Sequence, residues 1–183
     1  MLTLVLGGVR SGKSQLAERL ALQSGAPVIY LATYLQSPES DPEMAARVAR
    51  HRERRPRTWR TVEGPDPLAA FGDDLSGAGE ATVLVDNLTG WLVTMMAADQ
   101  PVLASVERFA AAAVARAAQT VVVADETGFG GVASHAVARR FADVSGEAGQ
   151  LLTAAAAEAW LVIAGQRLAE LASVLPRPQA IGQ

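Results

Sequence analysis

Gly7-Gly8-Val9-Arg10-Ser11-Gly12-Lys13-Ser14 decides how the rest of this 183-residue chain is read. It follows the apolar run at 2–6 and opens a helix-forming stretch at 13–23, so G-x-x-x-x-G-K-S stands in the strand, loop and helix context that gives it meaning. The glycines let successive backbone N–H groups turn inward around an anion, and the helix N-terminus adds partial positive charge at the same place. Gly7, Gly8, Val9, Arg10, Ser11, Gly12, Lys13 and Ser14 are therefore candidate nucleotide-binding residues. Lys13 would reach the β- and γ-phosphates, and the Ser14 hydroxyl a bound Mg²⁺. The bland alternative is a glycine-rich turn with a chance lysine. Against it, Lys13 is the only lysine in the chain, and the other fifteen basic residues are all arginine.

Working outward, short apolar runs at 2–6, 28–32, 58–62, 82–85, 120–124 and 160–164 read as strands. Most are apolar throughout, as strands buried on both faces are. Helices are expected at 13–23, 88–97, 102–118, 134–141 and 147–157, and Asp41-Pro42 and Asp66-Pro67 mark two further helix starts. Loops fall at 36–40, 76–80 and 127–131, where Gly, Ser or Pro cluster. The expected fold is α/β and P-loop NTPase-like, a mostly parallel sheet flanked by helices on both faces. One nucleotide-binding and transferase domain is expected over 1–165, with a partly loose tail over 166–183.

Sixteen basic and nineteen acidic residues leave a net charge of −3, which disfavours a nucleic-acid-coating protein. No cysteine is present, so a disulfide scaffold, a thiolate metal site and a cysteine nucleophile are all excluded. The opening residues lack a signal peptide pattern and no apolar run reaches membrane-spanning length, so a soluble, cytoplasmic protein is expected. Asp125-Glu126-Thr127-Gly128 fits D-x-x-G of small GTPases, but the N-K-x-D that reads guanine there is missing. Leu75-Ser76-Gly77-Ala78-Gly79 lies too close before Asp86 to be an ABC-transporter signature, and reads as a turn.

Two carboxylates end apolar runs. Asp86 follows 83–85 and Asp125 follows 121–124, each placed where a strand-end acid can hold Mg²⁺ or its water. Asp86 is preferred as the metal residue beside Ser14. Between 47 and 60 the chain packs seven arginines against one acid, Glu53, a local charge of +6. That run is ordinarily a solvated helix face, and a surface histidine within it is the ordinary reading of His51. Yet Arg47, His51 and Arg54 share one helical face, and an imidazole flanked by guanidiniums suits attack on a phosphate. His135 has no such company and reads as structural.

Taken in order, the phosphate loop, Asp41-Pro-Glu-Met-Ala-Ala-Arg47, His51-Arg-x-x-Arg-Pro56, Trp59-x-Thr61-x-Glu63 and Glu126-x-Gly128-x-Gly130 resemble the bifunctional adenosylcobinamide kinase / adenosylcobinamide-phosphate guanylyltransferases. The resemblance spans about residues 2–165. It implies phosphorylation of adenosylcobinamide by ATP or GTP, then transfer of GMP from GTP to adenosylcobinamide phosphate through a histidine intermediate at His51. With Lys13 and His51 as catalytic residues, it implies nucleotide contacts at Ala32, Thr33, Tyr34, Arg52, Glu53, Arg54, Arg55, Glu63 and Asp86. It also implies a homotrimer. Asp86 stands where the family often has glutamate, Asp125 where it usually has asparagine, and Arg50 where a first histidine is frequent. A small-metabolite kinase without nucleotidyl transfer, or a GTP-binding regulatory module, are the alternatives the residues leave open.

Overall fold

A computed structural model describes residues 1–33, 42–64, 66–68 and 79–170. Among the described residues, seven strands form one sheet: β1 (Leu2–Gly7), β2 (Val28–Ala32), β3 (Arg60–Glu63), β4 (Thr82–Asp86), β5 (Thr120–Asp125), β6 (Glu158–Ile163) and β7 (Gln166–Glu170). Their order is β3-β2-β4-β5-β1-β6-β7, parallel except for the antiparallel edge strand β7. The expected α/β architecture is present. The central strands are apolar on both sides because both sides are covered. Helix α1 (Lys13–Gln23) lies on one face, where Leu16 and Ala17 join Val5, Tyr30, Leu84, Val121 and Val123. On the other, α3 (Leu88–Ala97), α4 (Val102–Ala115) and α5 (Ala136–Ala155) enclose Leu4, Leu31, Val85, Trp91, Phe109 and Leu152. Trp91 and Phe109 meet edge to face there, with centroids 5.6 Å apart.

The parallel register gathers the strands' carboxyl ends into one row. Gly7 lies opposite Asp125, while Ala32 lies opposite both Asp86 and Glu63. Chain segments far apart in sequence therefore deliver one glycine turn and three carboxylates to the same sheet edge, where open α/β sheets bind ligands. Helix α2 (Pro42–Arg54) joins this end through ion pairs from Arg54 to Glu18 on α1 and from Arg52 to Glu63 on β3.

Several boundaries differ from expectation. The two helices expected at 134–141 and 147–157 are one, α5, running straight through Gly146. A glycine inside a helix costs about 1 kcal/mol. Burial of Ser145, Ala148 and Leu152 along one side of α5 outweighs that cost. The third strand starts at Arg60 rather than 58, because Trp59 N–H closes a turn onto the Pro56 carbonyl. The sheet also continues into the stretch expected as a loose end, for β7 pairs with β6 across the two-residue turn Ala164-Gly165. Both turn residues have positive φ, 50° and 76°, the requirement of a type I′ hairpin. Asp66 caps a helical turn by accepting from Leu68 N–H at 2.8 Å. The start expected at Asp41 and the tail beyond 170 lie outside the described residues.

Gly7 shows why the loop has no room for a side chain at its first position. A Cβ there would stand 2.4 Å from Ser11 Oγ and 2.7 Å from the Val162 carbonyl, whereas one at Gly8 would meet nothing within 4 Å. Gly7→Ala should lower unfolding free energy by about 1–3 kcal/mol, and Gly8→Ala should change it by less than about 0.5 kcal/mol. Equal values from urea denaturation of the two variants would contradict this packing.

Candidate functional site

The phosphate loop is shaped by backbone before any ligand arrives. Arg10 and Gly12 adopt positive φ of 57° and 97°, Ser11 N–H donates to the Gly8 carbonyl, and Gly165 N–H donates to the Ser11 carbonyl at 2.7 Å. The β6–β7 turn thus braces the loop from behind. Lys13 is buried, and its ammonium lies 3.0 Å from the Gly8 carbonyl and 2.7 Å from Asp125 Oδ1. The other Asp125 oxygen accepts from Asn87 Nδ2 at 2.9 Å and from Thr89 Oγ1 at 2.6 Å. Asn87 in turn caps α3, accepting from Gly90 N–H at 3.2 Å.

The two candidate acids have different partners. Asp125 holds Lys13, whereas Asp86 faces Ser14, with Oδ1 3.5 Å from the hydroxyl. Asp86 Oδ2 accepts from the Tyr30 hydroxyl at 2.6 Å and lies 3.7 Å from His51 Nδ1. Burial pushes the Asp86 carboxyl upward, but the contacts from His51, Tyr30 and Ser14 outweigh it and hold it below the usual carboxylate value. Burial, reinforced by the Asp86 charge, pushes the Tyr30 phenol far above its ordinary range.

His51 lies between two cavities and lines both. The larger, about 600 Å³, runs from Lys13, Ser14, Asp86 and Asp125 past Ala32, Arg52, Arg55 and Glu63 to a wall of Val48, Val93, Thr94, Ala97 and Ala98. The second, about 560 Å³, lies over the phosphate loop and adds Val9, Arg10, Ser11, Gly12, Arg50, Glu53 and Arg54. A nucleotide's phosphates placed at Lys13 and Ser14 would sit at the join of the two, within reach of His51.

Most of the sequence-derived candidates converge here, but several have other engagements. Arg52 is paired with Glu63 and Arg54 with Glu18, so two of the guanidiniums expected beside the phosphates are balanced by acids. Arg55 instead covers the Tyr30 ring, 3.5 Å from its centroid. Thr33 is buried and gives its hydroxyl to the Asn87 carbonyl, which fixes the start of α3 against β2. Gly7 is buried in the end of β1. Tyr34 and the Arg47 side chain lie outside the described residues. His135 stands at the start of α5, away from both cavities. Sequence reasoning missed Tyr30, Thr89 and the α3 wall. A phenol within an otherwise aliphatic strand was the available signal for Tyr30, since a buried hydroxyl requires a partner.

A family model described as cobinamide kinase / cobinamide phosphate guanyltransferase matches residues 3–169. The bifunctional adenosylcobalamin biosynthesis protein CobP of Pseudomonas aeruginosa is 43% identical over 148 residues, covering 80% of this chain and 83% of that protein. The bifunctional adenosylcobalamin biosynthesis proteins CobU of Escherichia coli and Salmonella typhimurium are 37% and 38% identical, each match covering 90% of this chain and 97% of theirs. Among solved structures, a KaiC-like protein from Pyrococcus horikoshii is similar with a TM-score of 0.45 at 11% identity, covering 87% of this chain and 71% of that one.

The Lys13–Asp125 pair makes a direct prediction. Removing one partner of a mostly buried pair leaves the other charge unsatisfied, so Asp125→Ala should cost about 3 kcal/mol in the empty protein. Added nucleotide phosphates would replace the lost carboxylate, so GTP should raise the melting temperature of the variant more than that of the unaltered protein. An equal rise in both would contradict the pairing.

Proposed function

The chain belongs to the cobinamide kinase / cobinamide phosphate guanyltransferase family, and we propose that one phosphate-binding centre serves both of its reactions, with His51 as the acceptor of GMP. The enzyme is a transferase of cobalamin biosynthesis: it phosphorylates cobinamide and then guanylylates the cobinamide phosphate. The observation that carries the proposed site is the position of His51 at the join of two cavities that share Lys13 and Ser14. Phosphates anchored by one ammonium and one row of backbone N–H groups can present either the γ- or the α-phosphorus to a neighbouring nucleophile.

In the kinase step, the loop and Lys13 hold the β- and γ-phosphates of ATP or GTP while the cobinamide hydroxyl attacks the γ-phosphorus. In the guanylyl step, an imidazole nitrogen of His51 attacks the α-phosphorus of GTP, the N–P bond forms, and pyrophosphate leaves with the electron pair of the broken P–O bond. The phosphate of adenosylcobinamide phosphate then attacks the same phosphorus, and the bonding pair returns to the ring nitrogen. Ser14 Oγ and Asp86 Oδ1, 3.5 Å apart, supply hard oxygen donors of the kind Mg²⁺ takes alongside phosphate oxygens and water. Bound there, Mg²⁺ would neutralise charge on the phosphates. Ala32 and Glu63 on the wall of the larger cavity, with Arg52 and Arg55, support contacts to the rest of the nucleotide.

Two outcomes test this reading. GTP labelled at the α-phosphorus should leave acid-labile label on the protein, and His51→Ala should abolish it. Equal labelling of the variant would make another residue the nucleophile. Loss of the ammonium in Lys13→Ala should lower single-turnover rates of both steps by about 10²–10³-fold, and a fall below tenfold would contradict its role on the phosphates.

A further inference from the structure

A neutral imidazole has one nitrogen with a lone pair to give, and which one it is depends on what holds the proton of the other. On the reading above, in which His51 is the nucleophile, the surroundings of its two nitrogens decide whether it can react. His51 Nδ1 faces Asp86 Oδ2 at 3.7 Å. That same oxygen accepts from the Tyr30 hydroxyl at 2.6 Å, while the other Asp86 oxygen faces Ser14. We propose that Tyr30 is a positioning residue for guanylyl transfer: it fixes the Asp86 carboxylate so that Oδ2 holds the proton on His51 Nδ1 and leaves the Nε2 lone pair free to attack.

Tyr30 is well built for this. It is 1% exposed, in the middle of β2, and its ring stacks on Trp59 with centroids 6.2 Å apart and planes 29° apart. The Arg55 guanidinium lies on its ring, 3.5 Å from the centroid. Held by these contacts, the hydroxyl has one direction in which to donate. The phenol remains protonated, because burial and the carboxylate both resist its ionisation. Without this donor, Asp86 could turn its carboxylate toward Ser14 and the phosphates, and His51 would lose its orienting partner. The 3.7 Å separation is longer than a hydrogen bond, as catalytic contacts in an empty site commonly are.

The bond changes agree with this placement. As Nε2 bonds to the α-phosphorus and pyrophosphate departs, the ring keeps its Nδ1 proton and becomes positively charged. Asp86 lies beside that charge and balances it. When the acceptor phosphate displaces the ring, the N–P pair returns to Nε2 and the proton remains on Nδ1. The ring therefore ends the cycle in the form in which it began, with no proton exchanged with solvent.

The chain has two histidines, His51 and His135, so ¹⁵N labelling of histidine gives a spectrum that His51→Ala assigns completely. In the metal-free, nucleotide-free protein at a pH where both rings are neutral, His51 should carry its proton mainly on Nδ1. Tyr30→Phe keeps the ring between Trp59 and Arg55 and removes only the hydroxyl. It should shift His51 toward the Nε2–H form and slow single-turnover guanylylation at saturating GTP about tenfold, with the half-saturating GTP concentration unchanged within about twofold. Asp86→Ala should shift the tautomer the same way, and supplies the reading should Tyr30→Phe fail to fold. A proton on Nε2 in the unaltered protein, or variants that leave the tautomer unchanged, would overturn the proposal. The tautomer is read without turnover, so this result stands apart from whether His51→Ala abolishes labelling.

Discussion

The buried ammonium of Lys13 is the constraint around which this end of the molecule is arranged. A cation that is 4% exposed needs compensation, and it has a carbonyl of its own loop and the carboxylate of Asp125. Asp125 must itself be held, and Asn87 and Thr89 hold it from the start of α3. The parallel register of β1 with β5 brings the two charges together, since it places Gly7 opposite Asp125. The ion pair and the hydrogen bonds behind it thus tie the phosphate loop, β5 and the start of α3 together at this edge. On the proposed reading, a triphosphate entering the site would meet an ammonium already in place and replace its carboxylate partner with a phosphate one.

The second acid is separated from the first by its neighbours rather than by distance along the chain. Asp86 and Asp125 both end central strands, yet one faces the hydroxyl of Ser14 and the imidazole of His51, and the other faces Lys13. Two carboxylates at one sheet edge can therefore take different parts, one beside the Ser14 hydroxyl and the histidine, the other beside the lysine. The basic run on α2 is likewise divided. Arg52 and Arg54 anchor the helix to β3 and α1, and Arg55 covers Tyr30, so several arginines of the run build the wall that carries His51.

Much of this was legible from sequence because it depends on local pattern. The phosphate loop needs its glycines and lysine in order, the buried strands need continuous apolar runs, and α1 begins at Lys13 as the motif requires. What was not legible depends on register and on tertiary compensation. Nothing in Val28-Ile29-Tyr30-Leu31 states that the Tyr30 hydroxyl meets a carboxylate 56 residues away; only the pairing of β2 with β4 does that. The expectation of two helices, at 134–141 and 147–157, leaves out Gly146, whose propensity opposes a helix, while the packing of α5 on its buried side overrides that propensity. The β6–β7 hairpin was missed because Ala164-Gly165 carries one glycine where Asn-Gly would be the strong signal.

Both transfers at one phosphate site with a covalent stage in the second is the central claim, and the stereochemistry at phosphorus tests it most directly. Each in-line displacement inverts the configuration of the α-phosphorus. With a single diastereomer of GTP carrying sulfur on the α-phosphate, transfer through His51 proceeds by two displacements and the nucleotide delivered to cobinamide phosphate should retain its configuration. Inversion in that product would show direct transfer from GTP and contradict the account.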